Sequence, residues 1–306
     1  MKKKTKCLLL FSGGLDSILA AKILIDQGID VLGITFRSCF FNEKQAKKAA
    51  REIGLKLKII DISKEHLKLV KKPKYGHGKN MNPCIDCHLL MLKKTKELME
   101  KMKYNFVATG EVLGERPMSQ NKNILKLLEK ESGLEGYLLR PLSAKLLKKT
   151  IPEKEGIVDR EKLLSICGRQ RKTQIELAKK FKIKKYPTPS GGCCLTDPQF
   201  SIRLKEMLEK WKNADCEDME LLKIGRHFWK GDFLMVVGRN EKENKIIQKL
   251  KKKEDIIVEP KNIPGPLILI RSKKKIPKII ISRSKDLSKK YSKKAKGKKD
   301  INFLVY

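Results

Sequence analysis

Long hydrophobic runs are missing from this 306-residue chain. None approaches the roughly 20 consecutive apolar residues of a membrane span. The start, Met1 to Lys6 followed by Cys7-Leu8-Leu9-Leu10-Phe11, has the basic and apolar parts of a signal peptide, but the run stops at Ser12-Gly13-Gly14. That is short of the roughly 7–15 residues that an export signal needs. A cytoplasmic protein with no membrane partner is expected. Acidic charge is scarce as well: 35 Asp+Glu against 71 Lys+Arg leave a formal charge of +36. The excess is more than solubility requires and points to a polyanionic partner such as nucleic acid. Lysine enrichment through genome composition or adaptation to heat would give the same balance. In a reducing compartment the eight cysteines are poor disulfide candidates and better candidates for metal or catalytic work. The length suits a large domain and a smaller one.

One stretch, Asn82-Pro83-Cys84-Ile85-Asp86-Cys87-His88, fits several chemistries at once. Cys84 to His88 has the spacing of haem attachment, a redox pair or the start of a zinc or iron–sulfur site. Haem attachment normally needs export. A redox pair of the thioredoxin kind needs a preceding strand, whereas Pro83 and a Gly/Lys/Asn-rich loop precede Cys84. A metal or cluster site is left.

The amino-terminal half alternates strand and helix. Cys7 to Phe11 is a short continuous apolar run of the kind a buried parallel strand shows. Helical periodicity follows over Ile18 to Ile25, then a strand at Asp30 to Phe36, a helix at about Asn42 to Ile53 and a strand at Lys56 to Ile62. This alternation predicts an α/β fold with a doubly wound parallel sheet, and ligands at the carboxyl ends of its strands. Ser12, Gly13, Gly14, Asp16 and Ser17 then lie where the first strand turns into the first helix. Glycines let the backbone approach a ligand, free N–H groups and the helix dipole bind phosphate, and the Ser12 and Ser17 hydroxyls add donors. The Asp16 carboxylate would repel phosphate unless it binds Mg²⁺ or caps the turn. Phe106 to Ala108 is a further buried strand, which brings Thr109 and Gly110 to the same edge.

Ser12-Gly13-Gly14-Leu15-Asp16-Ser17 resembles, residue for residue, the S-G-G-x-D-S loop of the PP-loop ATP pyrophosphatase superfamily. The resemblance implies that ATP is cleaved between its α and β phosphates. AMP is transferred to an acceptor oxygen, pyrophosphate leaves, and a nucleophile then displaces AMP. With the segments Leu138 to Leu147, Val158 to Phe181 and Tyr186 to Ser201, the first two thirds of the chain resemble the tRNA thiouridine synthetase branch. These are the relatives of the 2-thiouridylase and 4-thiouridine synthetase enzymes. The implied partners are tRNA and either sulfide or a sulfur-donor protein. Relatives that use a persulfide carry N-P-D-x-x-C; here Cys84 stands in place of the Asp. Cys84 and Cys87 with one distant cysteine would give three thiolates, enough to hold a 4Fe-4S cluster and leave one iron open to bind sulfide.

Cys193 is the favoured third ligand because it follows Gly191-Gly192, with Cys194 the alternative. Other readings remain. Zinc on Cys84, Cys87, His88 and Cys193 is one, and a persulfide on Cys87 and Cys193 with Cys84 as accessory is another. A third is a non-catalytic RNA-binding protein. His88 is expected to open a helix over Leu89 to Lys101, and Cys7 and Cys167 are expected in the core, the latter inside a helix. Many 4-thiouridine synthetases carry a THUMP domain ahead of the loop, so tRNA docking is expected to use something else here.

The expected division is a PP-loop domain over 1–197 and a basic α+β domain over 198–306. Gly225-Arg226-His227-Phe228-Trp229 and Gly238-Arg239-Asn240-x-x-Glu243-Asn244 resemble the small NFACT-R (DUF814) domain of ribosome quality-control factors, which implies RNA binding. Ile263 to Ser272 and Pro277 to Ser284 are expected as strands, and two of His227, Phe228 and Trp229 as core residues. The lysine block after Asp286 self-repels unless neutralised, and its lysines suit phosphate contacts.

Overall fold

The computed structural model describes residues 5–187, 193–295 and 300–306. The chain forms two compact units, Met1–Cys194 and Leu195–Tyr306. The first contains β1 (Lys6–Leu10), α1 (Leu15–Ile25), β2 (Asp30–Arg37), α2 (Lys44–Ile53), β3 (Lys56–Asp61), α3 (Ser63–Lys71) and α4 (Cys84–Met102). It continues with β4 (Phe106–Thr109), α5 (Lys122–Ser132), β5 (Leu138–Leu139), α6 (Ile151–Lys154) and α7 (Lys172–Lys180). The five strands pair in parallel in the order β3-β2-β1-β4-β5.

Alternation of side chains along a strand explains the uninterrupted apolar run of β1. Cys7, Leu9 and Phe11 join a core with residues of α1 and α2, while Leu8 joins a separate core with Leu89 and Leu92 of α4 and Leu128 of α5. Phe106 and Ala108 of β4 face the first core and Val107 the second, for the same reason. Strand order reverses between β1 and β4, so their carboxyl ends form the crevice in which such sheets take ligands.

The second unit contains α8 (Pro198–Lys210), α9 (Cys216–Leu221), β6 (Arg226–Lys230), β7 (Phe233–Val237) and α10 (Glu241–Lys249). After these come β8 (Ile256–Pro260), β9 (Ile268–Arg271), α11 (Lys278–Tyr291) and β10 (Phe303–Val305). Its strands form an antiparallel sheet in the order β10-β8-β9-β7-β6. Pro277 to Ser284, expected as a strand, instead begins α11. Three consecutive isoleucines favour a strand locally, but Ile280, Ser284 and Ser288 recur every fourth residue and bury one helical face. The Ser284 hydroxyl donates to the Ile280 carbonyl at 2.9 Å, which satisfies it inside the helix. Two further segments expected otherwise are α4, which begins at Cys84 and so takes both cysteines into its first turn, and Cys167, which is exposed and bridges Leu113 outside any helix.

A buried ion cluster fixes the second unit. Arg271, 2% exposed, donates Nε and Nη2 to Asp255 and Nη1 to Asp218 at 3.0 Å, while Lys273 approaches Asp218 at 2.9 Å. Removing the arginine would strand buried carboxylates, a loss of about 3–5 kcal/mol. Both tryptophans of the chain, Trp211 and Trp229, stack edge-on in this unit with ring centres 4.9 Å apart, so their fluorescence reports its unfolding. Arg271→Met is expected to move the fluorescence-detected denaturation midpoint sharply down. An unchanged midpoint would show that the cluster contributes no stability.

Candidate nucleotide and thiol site

The turn after β1 is shaped by its own small residues. Gly13 adopts φ +77°, and a Cβ there would lie 2.8 Å from the backbone of Gln45 and Ala46 at the start of α2. The Gln45 side chain closes this contact by donating to the Gly13 carbonyl at 3.0 Å. The Ser17 hydroxyl donates to the Gly14 carbonyl at 2.8 Å and accepts from the Gly13 amide at 3.1 Å. Ser12 Oγ accepts from the Gly14 amide at 3.3 Å. The hydroxyls therefore brace the loop, and the first-turn amides of α1 carry the unpaired donors of a helix N-terminus.

Gly110, just past β4, presses on this loop. A Cβ on it would lie 2.6 Å from the Ser17 nitrogen and 2.7 Å from the Asp16 carbonyl carbon, so only glycine fits. Thr109 turns its hydroxyl to Glu111, donating at 3.0 Å. The contacts of Thr109 and Gly110 are thus with the protein: one supports a buried carboxylate and the other the Ser12–Ser17 loop.

Glu111 was not singled out by the sequence, yet it joins the two halves of the site. It receives Arg140 Nε at 2.9 Å and hydrogen bonds with His88 Nδ1 at 3.0 Å. Arg140, 1% exposed, also pairs with Glu129. Burial alone would push the Glu111 carboxyl up; the guanidinium and His88 outweigh it and hold the group at about 2. His88 thereby ties the first turn of α4 to the residue that follows Gly110.

In that first turn Cys84 is half-buried and Cys87 fully buried. Asp86 accepts from the Lys74 and Tyr75 amides at 2.9 and 3.0 Å, which fastens the preceding loop to the helix. Burial pushes the Cys87 thiol up, and the charges of Cys193 and Cys84 push it further. Cys193 therefore lies within electrostatic reach of the pair. Cys194 is held through its amide to the Phe40 carbonyl at 3.2 Å, beside buried Cys39. Burial also raises Cys84, opposed by Arg116, whose charge acts on Asp16 as well.

Gly191 and Gly192 lie outside the described residues. Among those described, no three His, Cys, Asp or Glu side chains are gathered closely enough to hold a metal ion. Cys84, Cys87 and Cys193 are donors of the type that suits a soft metal or cluster, and holding one would require the three to draw closer together than they stand here. Among the described residues no helix is long and apolar enough to cross a membrane.

On the second unit a pocket of about 500 Å³ is lined by Lys261, Lys285, Lys289, Asn302 and Phe303, among others. Lys285 Nζ lies 5.9 Å from the Phe303 ring centre. His227, Phe228 and Trp229 are all half-buried in β6. His227 bonds to the Leu221 carbonyl, Phe228 packs on the sheet core and Trp229 stacks on Trp211.

Comparison with known proteins gives two family matches. The tRNA methyl transferase HUP domain matches residues 5–180, and the NFACT protein RNA binding domain matches residues 225–305. The tRNA-specific 2-thiouridylase of Clostridium acetobutylicum is 25% identical over 264 residues, covering 77% of this chain and 68% of that protein. Among solved structures, the U34-tRNA thiolase NcsA of Methanococcus maripaludis, determined with its 4Fe-4S cluster, is 18% identical. It covers 72% of this chain and 74% of its own, with a TM-score of 0.34. A 4-thiouridine synthetase bound to RNA and ATP is 20% identical, covering 72% of this chain and 52% of its own, with a TM-score of 0.40.

The Glu111 network has a signed pH signature. Its folded value of about 2 lies below the roughly 4.3 of an unfolded glutamate, so its stabilisation is complete above the latter and is lost as pH falls toward the former. Glu111→Gln is expected to unfold at a lower temperature than the parent at neutral pH. The gap between the two melting curves should narrow as pH falls from about 5 toward 2. A gap independent of pH would contradict the ion pairing.

Proposed function

The chain belongs to the tRNA methyl transferase HUP domain family, and from that premise we propose that it is an ATP-dependent tRNA sulfurtransferase. It would adenylate a uridine carbonyl oxygen and replace that oxygen with sulfur. The observation that carries this reading is the join between the half-sites: Gly110 packs on the phosphate loop, and the next residue, Glu111, holds His88 beside Cys87. A nucleotide activated at the loop and a sulfur presented by the cysteines thus share one scaffold.

In the first step the uridine oxygen attacks the α-phosphorus of ATP, the α–β phosphoanhydride breaks, and pyrophosphate leaves with its bonding electrons. The amides at the start of α1 would hold phosphate oxygens, and Asp16 would hold a Mg²⁺ ion, whose charge would screen the carboxylate from the phosphates. In the second step a sulfur nucleophile adds to the uridine carbon, and AMP leaves with the original oxygen. Cys84, Cys87 and Cys193 would hold a 4Fe-4S cluster, and the chemistry it supplies when bound is an exchangeable sulfide at its open iron. Sulfide or a sulfur-donor protein would replenish that sulfur. Arg116, acting on both Asp16 and Cys84, favours the anionic phosphate that lies between the two half-sites in this sequence of steps.

Anaerobic purification tests the reading. A brown, iron-containing protein that forms thiouridine in tRNA only with ATP is expected, and both Cys84→Ser and Cys193→Ser should lose the colour and the product. Cys194→Ser should retain both. A colourless protein with full ATP-dependent thiolation would replace the cluster with a persulfide on Cys87 and Cys193. A protein that forms no thiouridine at all would remove the enzymatic reading.

The second unit supports tRNA as the substrate through its match to an RNA-binding domain and its lysine-lined pocket. If Lys261, Lys285 and Lys289 each neutralise a phosphate, reversing all three to Glu should make the slope of log affinity for tRNA against log salt shallower by about 2. An unchanged slope would place the phosphate contacts elsewhere.

A further inference from the structure

The first turns of α1 and α7 face each other across a set of polar atoms that the protein leaves unsatisfied. Arg171, at the N-cap of the nine-residue α7, brings Nη2 to 3.9 Å from Asp16 Oδ2. That is too far for a hydrogen bond. Both side chains are largely buried, 17% and 20% exposed. Asp16 Oδ1, Arg171 Nε and both amide atoms of Gln174 are buried without a hydrogen-bond partner among the described residues. Gln174, in the first turn of α7, is 0% exposed and lies beside Asp16. Leaving one such atom unpaired costs about 1–3 kcal/mol, and in native structures such atoms mark a missing water, ion or ligand. Four on three residues, at two helix N-termini, mark a ligand.

The donors and the two acceptors say which ligand. Arg171, the Gln174 NH₂ and the first-turn N–H groups of α7 offer hydrogen bonds to anionic oxygens. Asp16 Oδ1 and Gln174 Oε1 are acceptors and can meet only a donor or a cation. Burial pushes the Asp16 carboxyl up, and the Arg171 and Arg116 charges oppose that shift without cancelling it. A polyphosphate carrying a divalent cation offers anionic oxygens to the donors and a cation to the acceptors.

The position is fixed from behind. Leu113, which follows Glu111 and Val112, donates its amide to Ser143 Oγ at 2.9 Å, and that hydroxyl donates to the Ile166 carbonyl at 2.7 Å. The Gly168 amide reaches the Leu113 carbonyl at 2.7 Å. The segment that leads into α7 is therefore stitched to the segment that leaves β4, and Ala178 of α7 packs into the same core as α1.

We propose that Arg171 and Gln174 form the second wall of the polyphosphate site, binding the β- and γ-phosphate oxygens that depart as pyrophosphate while Asp16 binds the divalent cation. This rests on the adenylating reading above. When the α–β bond breaks, its electron pair goes to the β-phosphate oxygen, and the guanidinium neutralises that new charge. A donor aimed at charge that develops only during bond breaking acts mainly on the rate.

The test uses the full chain and three probes: Mg·ATP, Mg·pyrophosphate and AMP. In the parent protein all three should raise the melting temperature. Arg171→Ala should lose the response to pyrophosphate, keep that to AMP, and slow ATP–pyrophosphate exchange measured with tRNA present as the AMP acceptor about 10²–10³-fold. Arg171→Lys should recover part of both. Gln174→Leu, which removes two unpaired polar atoms, should melt no lower than the parent without ligand and bind pyrophosphate more weakly. Variants that bind pyrophosphate and exchange it like the parent would overturn the second wall and leave the phosphate loop intact. A parent protein that responds to neither ATP nor pyrophosphate would overturn the adenylating reading together with it.

Discussion

The site depends on a place where two backbones touch with nothing between them. Gly110, beyond β4, lies so close to the Asp16–Ser17 peptide that a single added carbon would sit 2.6 Å from the Ser17 nitrogen. Gly13 makes the matching approach to α2 on the other side of the loop. The loop is thereby clamped between two neighbours of β1, and its shape does not rest on side-chain packing that could relax. Strand order makes this possible, since β1 and β4 are adjacent and parallel and their ends arrive at the same edge. Because Glu111 directly follows the clamp, whatever Glu111 binds is placed relative to the phosphate loop with little freedom.

A chain with half as many acids as bases uses some of those acids in the interior. Each unit has one nearly inaccessible arginine held by two carboxylates: Arg140 by Glu111 and Glu129, and Arg271 by Asp218 and Asp255. A buried guanidinium without partners would cost several kcal/mol, so these acids cannot be released to the surface. Only four of the 35 acids are committed in this way, so the excess of bases is set by composition and not by burial. Around the pocket at β10 and α11, Lys261, Lys285 and Lys289 are gathered with Phe303.

The parallel sheet was legible because β1 and β4 are buried on both faces and carry no polar interruption, and the turn between β1 and α1 because its small residues are contiguous. Local pattern misled at Pro277 to Ser284, where three β-branched residues outweighed two serines that pack at helical spacing. It also misled at Cys84, where Pro83 read as loop although proline before a helix's first turn is compatible with its start. What the sequence could not display is the set of long-range pairs. Glu111 meets His88 across 23 residues and Arg140 across 29, and Asp16 approaches Arg171 across most of the unit's sequence. None of these pairs has a spacing that periodicity can reveal. Arg171 and Gln174 both lie in the segment Val158 to Phe181, where neither was singled out, since burial of a polar side chain leaves no mark in the sequence.

The two halves of the site have opposite electrostatic needs. At the cysteine end, Cys87 is buried with Cys84, Cys193 and Asp86 acting on it, so the thiols resist ionisation together and a cation bound among them would be held strongly. At the loop end, helix N-termini, Arg171 and Arg116 favour negative charge. On the proposed reading, buried thiols that stay protonated and uncharged put no thiolate charge in the path of the anionic adenylated uridine, and ionisation is confined to the cysteines that a bound cluster holds.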